Sequence, residues 1–85
     1  MTRFLTHEDL VARGLTGSKP STWRGERAGR FPKRTALSPQ RNGWAETVIN
    51  AYASALAIGR SPEEATAIAE AERQRLAETL QTAAE

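Results

Sequence analysis

The chain has 85 residues, of which 39% are hydrophobic and 26% charged, with one histidine and no cysteine. This length predicts one domain, or one domain with an appendage, and the apolar content argues against global disorder. The lack of cysteine excludes disulfides and thiolate-bound metals, and it favours a reducing, cytoplasmic setting. No apolar run is long enough to cross a bilayer and no signal peptide is recognisable, so we expect no membrane association.

The charges are unevenly distributed along the chain. Residues 1–44 carry nine basic side chains against three acidic ones, a net charge of +6. Residues 45–85 carry three basic side chains against seven acidic ones, a net charge of −4. This asymmetry predicts that the first half binds a polyanion and that the second half is solvated or binds a partner.

The first predicted element is a short helix. Thr6 is a typical N-cap, and the acidic pair Glu8–Asp9 follows in the first turn, where it complements the helix dipole. We expect Leu10 and Val11 to face inward and the helix to end near Gly14.

A second helix is predicted from about Lys19 to Ala28. Ser18 or Thr16 can cap it, and Pro20 is tolerated because it lies in the first turn. Gly29 supplies the C-terminal stop. Two short helices separated by a turn of three or four residues form a helix-turn-helix.

Residues 33–44 predict a small hairpin, or wing. A short strand over residues 33–37 is followed by a turn-forming run over residues 38–43, which includes Asn42 and Gly43, and Trp44 begins the returning strand. Such short strands are not stable alone and must pack against the helices.

Two further helices are predicted at about residues 45–58 and 62–82. Ser61, Pro62 and Glu64 form the N-terminal signature of the second one, a capping box with proline at the first helical position. Its apolar stripe is thin and consists of Ala65, Ile68, Ala69, Leu76 and Leu80. It is either a solvated helix packed loosely on the domain or a surface for self-association or a partner, and we favour the second interpretation.

The predicted fold class is therefore mainly α. Residues 1–58 form a small winged helix-turn-helix with a short β-hairpin wing. Residues 59–85 form a C-terminal helical extension that serves in oligomerisation or partner binding.

The basic half carries the predicted DNA contacts. On a recognition helix in the major groove, Lys19, Ser21 and Thr22 lie near the end that reaches base edges. The arginines that follow are suited to the phosphate backbone, and the wing is suited to the minor groove or to phosphates. The full predicted set is Lys19, Ser21, Thr22, Arg24, Arg27, Arg30, Lys33, Arg34, Gln40, Arg41 and Asn42.

Other kinds of site are not indicated. With no cysteine and only His7, a transition-metal site is not expected, and neither a catalytic triad nor a phosphate loop is recognisable. We therefore predict no enzyme activity, no cofactor and no small-molecule ligand. Four aromatic residues lie at the ends of elements rather than along a strand face, so we predict that they are core residues and not base-stacking platforms: Trp23, Phe31, Trp44 and Tyr52. For Trp23 the alternative is a contact with the sugar-phosphate backbone.

Several short motifs occur in one order over about residues 4–52: Phe4-Leu5-Thr6, Glu8-Asp9-Leu10, Arg13-Gly14-Leu15-Thr16, Ser18-Lys19, Trp23-Arg24, Ala28-Gly29-Arg30-Phe31-Pro32-Lys33, Leu37 and Trp44. In this order they resemble the AlpA-like phage regulators and excisionases, relatives of the MerR-type winged helix-turn-helix. The resemblance implies recognition-helix roles for Lys19, Ser21 and Arg24, wing roles for Arg34 and Arg41, and a core role for Trp44. The chain departs from the family pattern at Thr22, Gly25 and Glu26, where apolar residues are usual, and Gly25 and Glu26 are expected to weaken the helix.

The resemblance further implies a DNA-binding protein of a mobile element. It would be an excisionase, or recombination directionality factor, that binds repeated sites cooperatively, bends DNA and also regulates transcription. Its expected partners are double-stranded DNA, further copies of itself on DNA, and an integrase of the tyrosine recombinase type, in the bacterial cytoplasm and on the nucleoid. The alternatives are an AlpA-type transcriptional regulator without a recombination role, and a protein-interaction adaptor or antitoxin-like module.

Overall fold

The computed structural model describes the backbone of residues 3–84 and the side chains of residues 3–79. The described elements are, in chain order, β1 (Phe4–Leu5), α1 (His7–Ala12), α2 (Lys19–Ala28), β2 (Thr35–Ser38), β3 (Arg41–Ala45), α3 (Glu46–Ala57) and α4 (Pro62–Ala84). The fold class is the predicted one: α1 and α2 form the helix-turn-helix, β2 and β3 form the wing, and two helices follow. None of the helices described is both long and apolar enough to span a membrane.

Helix α1 is closed at its N-terminus by reciprocal hydrogen bonds. The backbone N–H of Asp9 donates to Thr6 Oγ1 at 3.2 Å, and the backbone N–H of Thr6 donates to the Asp9 carboxylate at 2.8 Å. The bond from the backbone N–H of Thr6, with the Thr6 hydroxyl as a second contributor, lowers the pKa of Asp9 below its ordinary value. Leu10 is fully buried, as predicted, but Val11 is 44% exposed, so its inward placement was wrong. Neighbouring helical residues point about 100° apart, and this one-sided helix turns only Leu10 to the core.

Helix α2 begins and ends where the sequence predicts. Ser18 Oγ accepts the N–H of Ser21 at 3.2 Å, and Gly29 closes the helix with a left-handed φ of 76°. The buried face consists of Thr22, Gly25 and Glu26. A Cβ on Gly25 would lie 3.2 Å from the Cβ of Phe31, so the glycine allows the chain after the helix to pack closely against it.

The wing belongs to a three-stranded antiparallel sheet with the order β1-β3-β2. Strand β1 was not predicted, and it pairs Leu5 with Trp44 of the central strand. The hairpin turn consists of Pro39 and Gln40. Asn42 and Gly43, which were predicted in the turn, lie in β3 instead.

This shift of the turn has a steric explanation at Gly43. A Cβ on Gly43 would lie 2.9 Å from the carbonyl oxygen of Leu5 and 2.9 Å from Leu37 Cδ1. Gly43 therefore marks the point where the central strand is closely approached by a backbone on one side and by a side chain of the wing. Its glycine serves close packing in a strand rather than a turn.

The core between sheet and helices contains three of the four aromatic residues predicted there. The ring centroids of Phe31 and Trp44 are 6.0 Å apart and those of Phe31 and Tyr52 are 5.2 Å apart, both in edge-to-face arrangements. Trp44 Nε1 donates to the carbonyl of Pro32 at 2.9 Å, and the Tyr52 hydroxyl donates to the carbonyl of Arg30 at 3.0 Å. Both polar groups of the buried aromatics thus hold the segment that leaves α2.

Helix α4 packs along α3 through small side chains. Ala65 and Ala69 are fully buried in the same core as the residues of the winged helix. Ser61 Oγ accepts the N–H of Glu64 at 3.2 Å, which confirms the predicted N-cap. Ile68 of the predicted apolar stripe is 43% exposed, because the alanine side of the helix faces α3. The side chain of Leu80 lies outside the described residues, and the proposed boundary at residues 58–59 stays a prediction.

Candidate nucleic-acid interface

A groove with a volume of about 360 Å³ lies between the start of α1, helix α2 and the hairpin. We call it the wing groove. It brings together residues that the sequence assigned separately to the recognition helix and to the wing, namely Lys19, Thr22, Arg34, Gln40, Arg41 and Asn42. The acidic residues Glu8 and Glu26 also line it. The helix and the wing therefore present their polar side chains to one common space.

Thr22 was predicted to contact DNA, but its side chain is buried. It is only 4% exposed. Its hydroxyl donates to the carbonyl of Ser18 at 3.1 Å, and it also bonds His7 Nε2 at 2.9 Å and the hydroxyl of Thr16. A hydroxyl has one proton to donate, so His7 Nε2 must carry the proton in its bond to Thr22. Thr22 therefore joins α1, the turn and α2, and the prediction that it contacts DNA was wrong.

The remaining predicted residues lie on two flanks of α2. A second groove, next to the wing groove, is lined by Arg27, Lys33 and Arg34 together with Trp23 and Glu26. Ser21, Arg24 and Arg30 line a hollow on the other side of the helix. Helix α2 is thus a ridge with basic side chains on both sides, an arrangement that suits contact with phosphates on either flank.

Trp23 is 56% exposed, so its predicted place in the core was wrong. The buried face of α2 consists of Thr22, Gly25 and Glu26. Trp23 follows Thr22 directly and lies about 100° further round the helix, so it points outward. The guanidinium carbon of Arg34 lies 5.8 Å from the centroid of the indole, a cation–π contact. A sequence signal existed, because Trp23 stands four residues from both Lys19 and Arg27 and thus shares their face of the helix.

Arg34 is held by a buried carboxylate. Glu26 Oε2 accepts the backbone N–H of Arg34 at 3.0 Å and lies 3.6 Å from its guanidinium Nε. Glu26 Oε1 is buried and has no hydrogen-bond partner among the described residues. Arg34 is thus less free than the sequence implied, whereas Arg41 at the start of β3 is exposed.

Helix α4 contacts the segment that links α2 to the wing. The backbone N–H of Lys33 donates to the carboxylate of Glu70 at 3.3 Å. Within α4, Glu70 also lies 3.9 Å from Arg73, and Glu72 pairs with Arg75 at 2.6 Å. Two acidic side chains of α4 are therefore paired within the helix, and Arg13 is a cation of the basic half that pairs with the acidic half, at 3.1 Å from Glu46.

Two further findings bear on the class of site. No group of three or more His, Asp or Glu side chains suited to a metal ion occurs in the part of the chain that the structure describes. No family model, curated protein or solved structure matches this chain.

Proposed function

We propose that this chain binds double-stranded DNA as a winged helix-turn-helix protein. Helix α2 enters the major groove, and the hairpin from β2 to β3 contacts the neighbouring backbone or minor groove. One observation carries the proposal: the wing groove joins Lys19 at the start of α2 to Arg41 and Asn42 of the wing. Base edges are reached from the start of a recognition helix, and phosphates by cations beside it.

The test is a binding titration of duplex DNA at several salt concentrations, followed by fluorescence anisotropy. The logarithm of the affinity should fall linearly with the logarithm of the salt concentration, with a slope of about 0.9 per neutralised phosphate. Lys19→Ala and Arg41→Ala should weaken binding. The matched control is Arg75→Ala, since Arg75 lies on α4 and pairs with Glu72. Equal losses from all three changes, or no binding at low salt, would contradict the proposal.

Within this class, we propose a recombination directionality factor of a mobile element that also regulates transcription. The support is the resemblance of residues 4–52 to AlpA-like regulators and excisionases. Several protomers on repeated sites would bend DNA, at a cost of about 1–6 kcal/mol that the added contacts offset. A protein with this function acts in the bacterial cytoplasm, on the nucleoid, beside an integrase of the tyrosine recombinase type.

Footprinting and an excision assay test this finer proposal. We expect protection of repeated sites within the attachment region of the element that encodes the protein. We also expect the excision product to form with the recombinase only when the protein is present. Protection of a promoter with no effect on excision would instead favour an AlpA-type regulator.

A protein-interaction module is the second candidate, and one observation favours it. An apolar groove of about 380 Å³ lies between the sheet and α4, with Phe4, Val48 and Leu76 in its lining. Removal of α4 is not a clean test, because Ala65 and Ala69 would leave the core. Phe4→Ser and Arg41→Ala in the full chain separate the two candidates: DNA binding should depend on Arg41 and not on Phe4, and a partner in the apolar groove would reverse this order.

A further inference from the structure

The indole of Trp23 is exposed in the middle of the basic surface of α2. Lys19 and Arg27 lie one turn to either side of it, and Arg27, Lys33 and Arg34 line the groove beside it. A large aromatic side chain at such a position is typical of a contact that a partner covers, because tryptophan combines a large apolar area with few rotatable bonds.

The indole also makes one contact within the protein. The guanidinium of Arg34 lies 5.8 Å from the ring centroid, and Glu26 holds both the backbone and the guanidinium of Arg34. The ring therefore has Arg34 as a neighbour on one side, and the remainder is exposed on α2. A contact of this kind restricts the side chain before binding and so lowers the entropy that ordering it costs.

The chemistry of the indole narrows what it can recognise. Phosphates are met by the cations around Trp23, whereas its own exposed surface is apolar apart from one N–H. The floor of the major groove offers mainly hydrogen-bonding groups and one apolar group, the C5-methyl of thymine. From the exposed ring on the outward face of α2, we infer that Trp23 reads a thymine methyl in the major groove and thereby determines specificity. This inference rests on the proposed DNA-binding function.

The test begins with duplexes selected from a random library by the wild-type protein. Each thymine of a selected site is replaced in turn by deoxyuridine, which lacks only the methyl group, and affinities are measured by anisotropy. We expect one replacement to weaken wild-type binding about fourfold, the effect of leaving one methyl group unburied. Trp23→Ala should bind the thymine and deoxyuridine sites equally, and Trp23→Phe should keep part of the difference.

Arg27→Ala is the matched control on the same face of the helix. It should weaken binding to both sites by the same factor, so that the thymine preference remains. A wild-type protein indifferent to every replacement, or a preference that survives in Trp23→Ala, would overturn the inference while leaving DNA binding intact. Failure of the wild-type protein to bind or select any duplex at low salt would overturn both the inference and the proposed function.

Discussion

The buried carboxylate of Glu26 accepts the backbone N–H of Arg34 at 3.0 Å and lies 3.6 Å from the guanidinium of the same residue. One side chain of α2 thus fixes the start of the wing. From the sequence, Glu26 was expected to weaken the second helix. The structure gives Glu26 a different role. Its buried carboxylate accepts the backbone N–H of Arg34, which would otherwise have no hydrogen-bond partner between the helix and the sheet.

We predict that Glu26→Ala destabilises the protein by about 1–3 kcal/mol, because the N–H of Arg34 loses its acceptor in a part-buried place. Glu26→Gln should cost less, since the amide oxygen can still accept that bond and the guanidinium of Arg34 remains in contact with water. Urea unfolding followed by circular dichroism measures both changes. Equal costs for the two variants would mean that the ion pair, and not the backbone bond, is the stabilising contact.

Gly43 provides a prediction about the sheet. Gly43→Ala should destabilise the fold by about 1–3 kcal/mol, because the new methyl group would lie 2.9 Å from the carbonyl oxygen of Leu5, which is backbone and cannot swing away. The matched control is Gly17→Ala in the turn before α2, where no atom lies within 4 Å of the added Cβ. That change should be neutral or stabilising by up to about 1 kcal/mol. Thermal unfolding compares the pair, and a tolerated Gly43→Ala would contradict the close approach of β1.

The titration of Tyr52 leads to a prediction about the stability of the protein at alkaline pH. Burial, with a smaller contribution from the charge of Glu63, raises the pKa of Tyr52 above its ordinary value of 10.0. The unfolded chain therefore loses this proton first. The contribution of Tyr52 to stability is complete below about pH 10 and is lost as the pH rises through the folded-state pKa.

Comparison with Tyr52→Phe isolates this effect, because phenylalanine has no proton to lose. The wild-type protein should lose more stability than the variant from pH 10 upward, over and above the constant cost of the missing bond to Arg30. Tyr52 is the one tyrosine of the chain, so absorbance of tyrosinate reports its titration directly. Parallel loss of stability in both proteins would assign the alkaline transition to other groups.

The bounds of α2 could be predicted because their signals are local. Ser18 caps the helix through a residue three positions away, and Gly29 ends it through its own backbone conformation. The burial of Leu10 was predicted correctly and that of Val11 was not, because a six-residue helix is too short for its apolar spacing to separate two neighbouring positions.

The faces of α2 were harder to predict, because they depend on partners that are distant in the chain. Thr22 is drawn inward by His7 of α1, and Trp23 is turned outward as a consequence. Asn42 and Gly43 have the composition of a turn, and their place in a strand follows from pairing of that strand with β1. Strand β1 itself could not be predicted, because the two residues Phe4–Leu5 are too few to show the alternation of a strand. The basic composition of the site was therefore evident from the sequence, whereas the choice of residues that face a ligand was not.

Trp23 offers a last prediction, one that needs no knowledge of the target sequence. The chain has two tryptophans, of which Trp44 is 3% exposed and Trp23 is 56% exposed. In the free protein, acrylamide should quench one component of the fluorescence strongly, and Trp23→Phe should abolish that component. A neutral quencher is needed, because the cations around Trp23 would concentrate an anionic one.

Saturating duplex DNA should protect Trp23, so that the quenching of the wild-type protein falls to that of Trp23→Phe. Labelled DNA in the same cuvette establishes saturation independently through its anisotropy. DNA bound at saturation with Trp23 still open to acrylamide would mean that the duplex lies elsewhere on the protein.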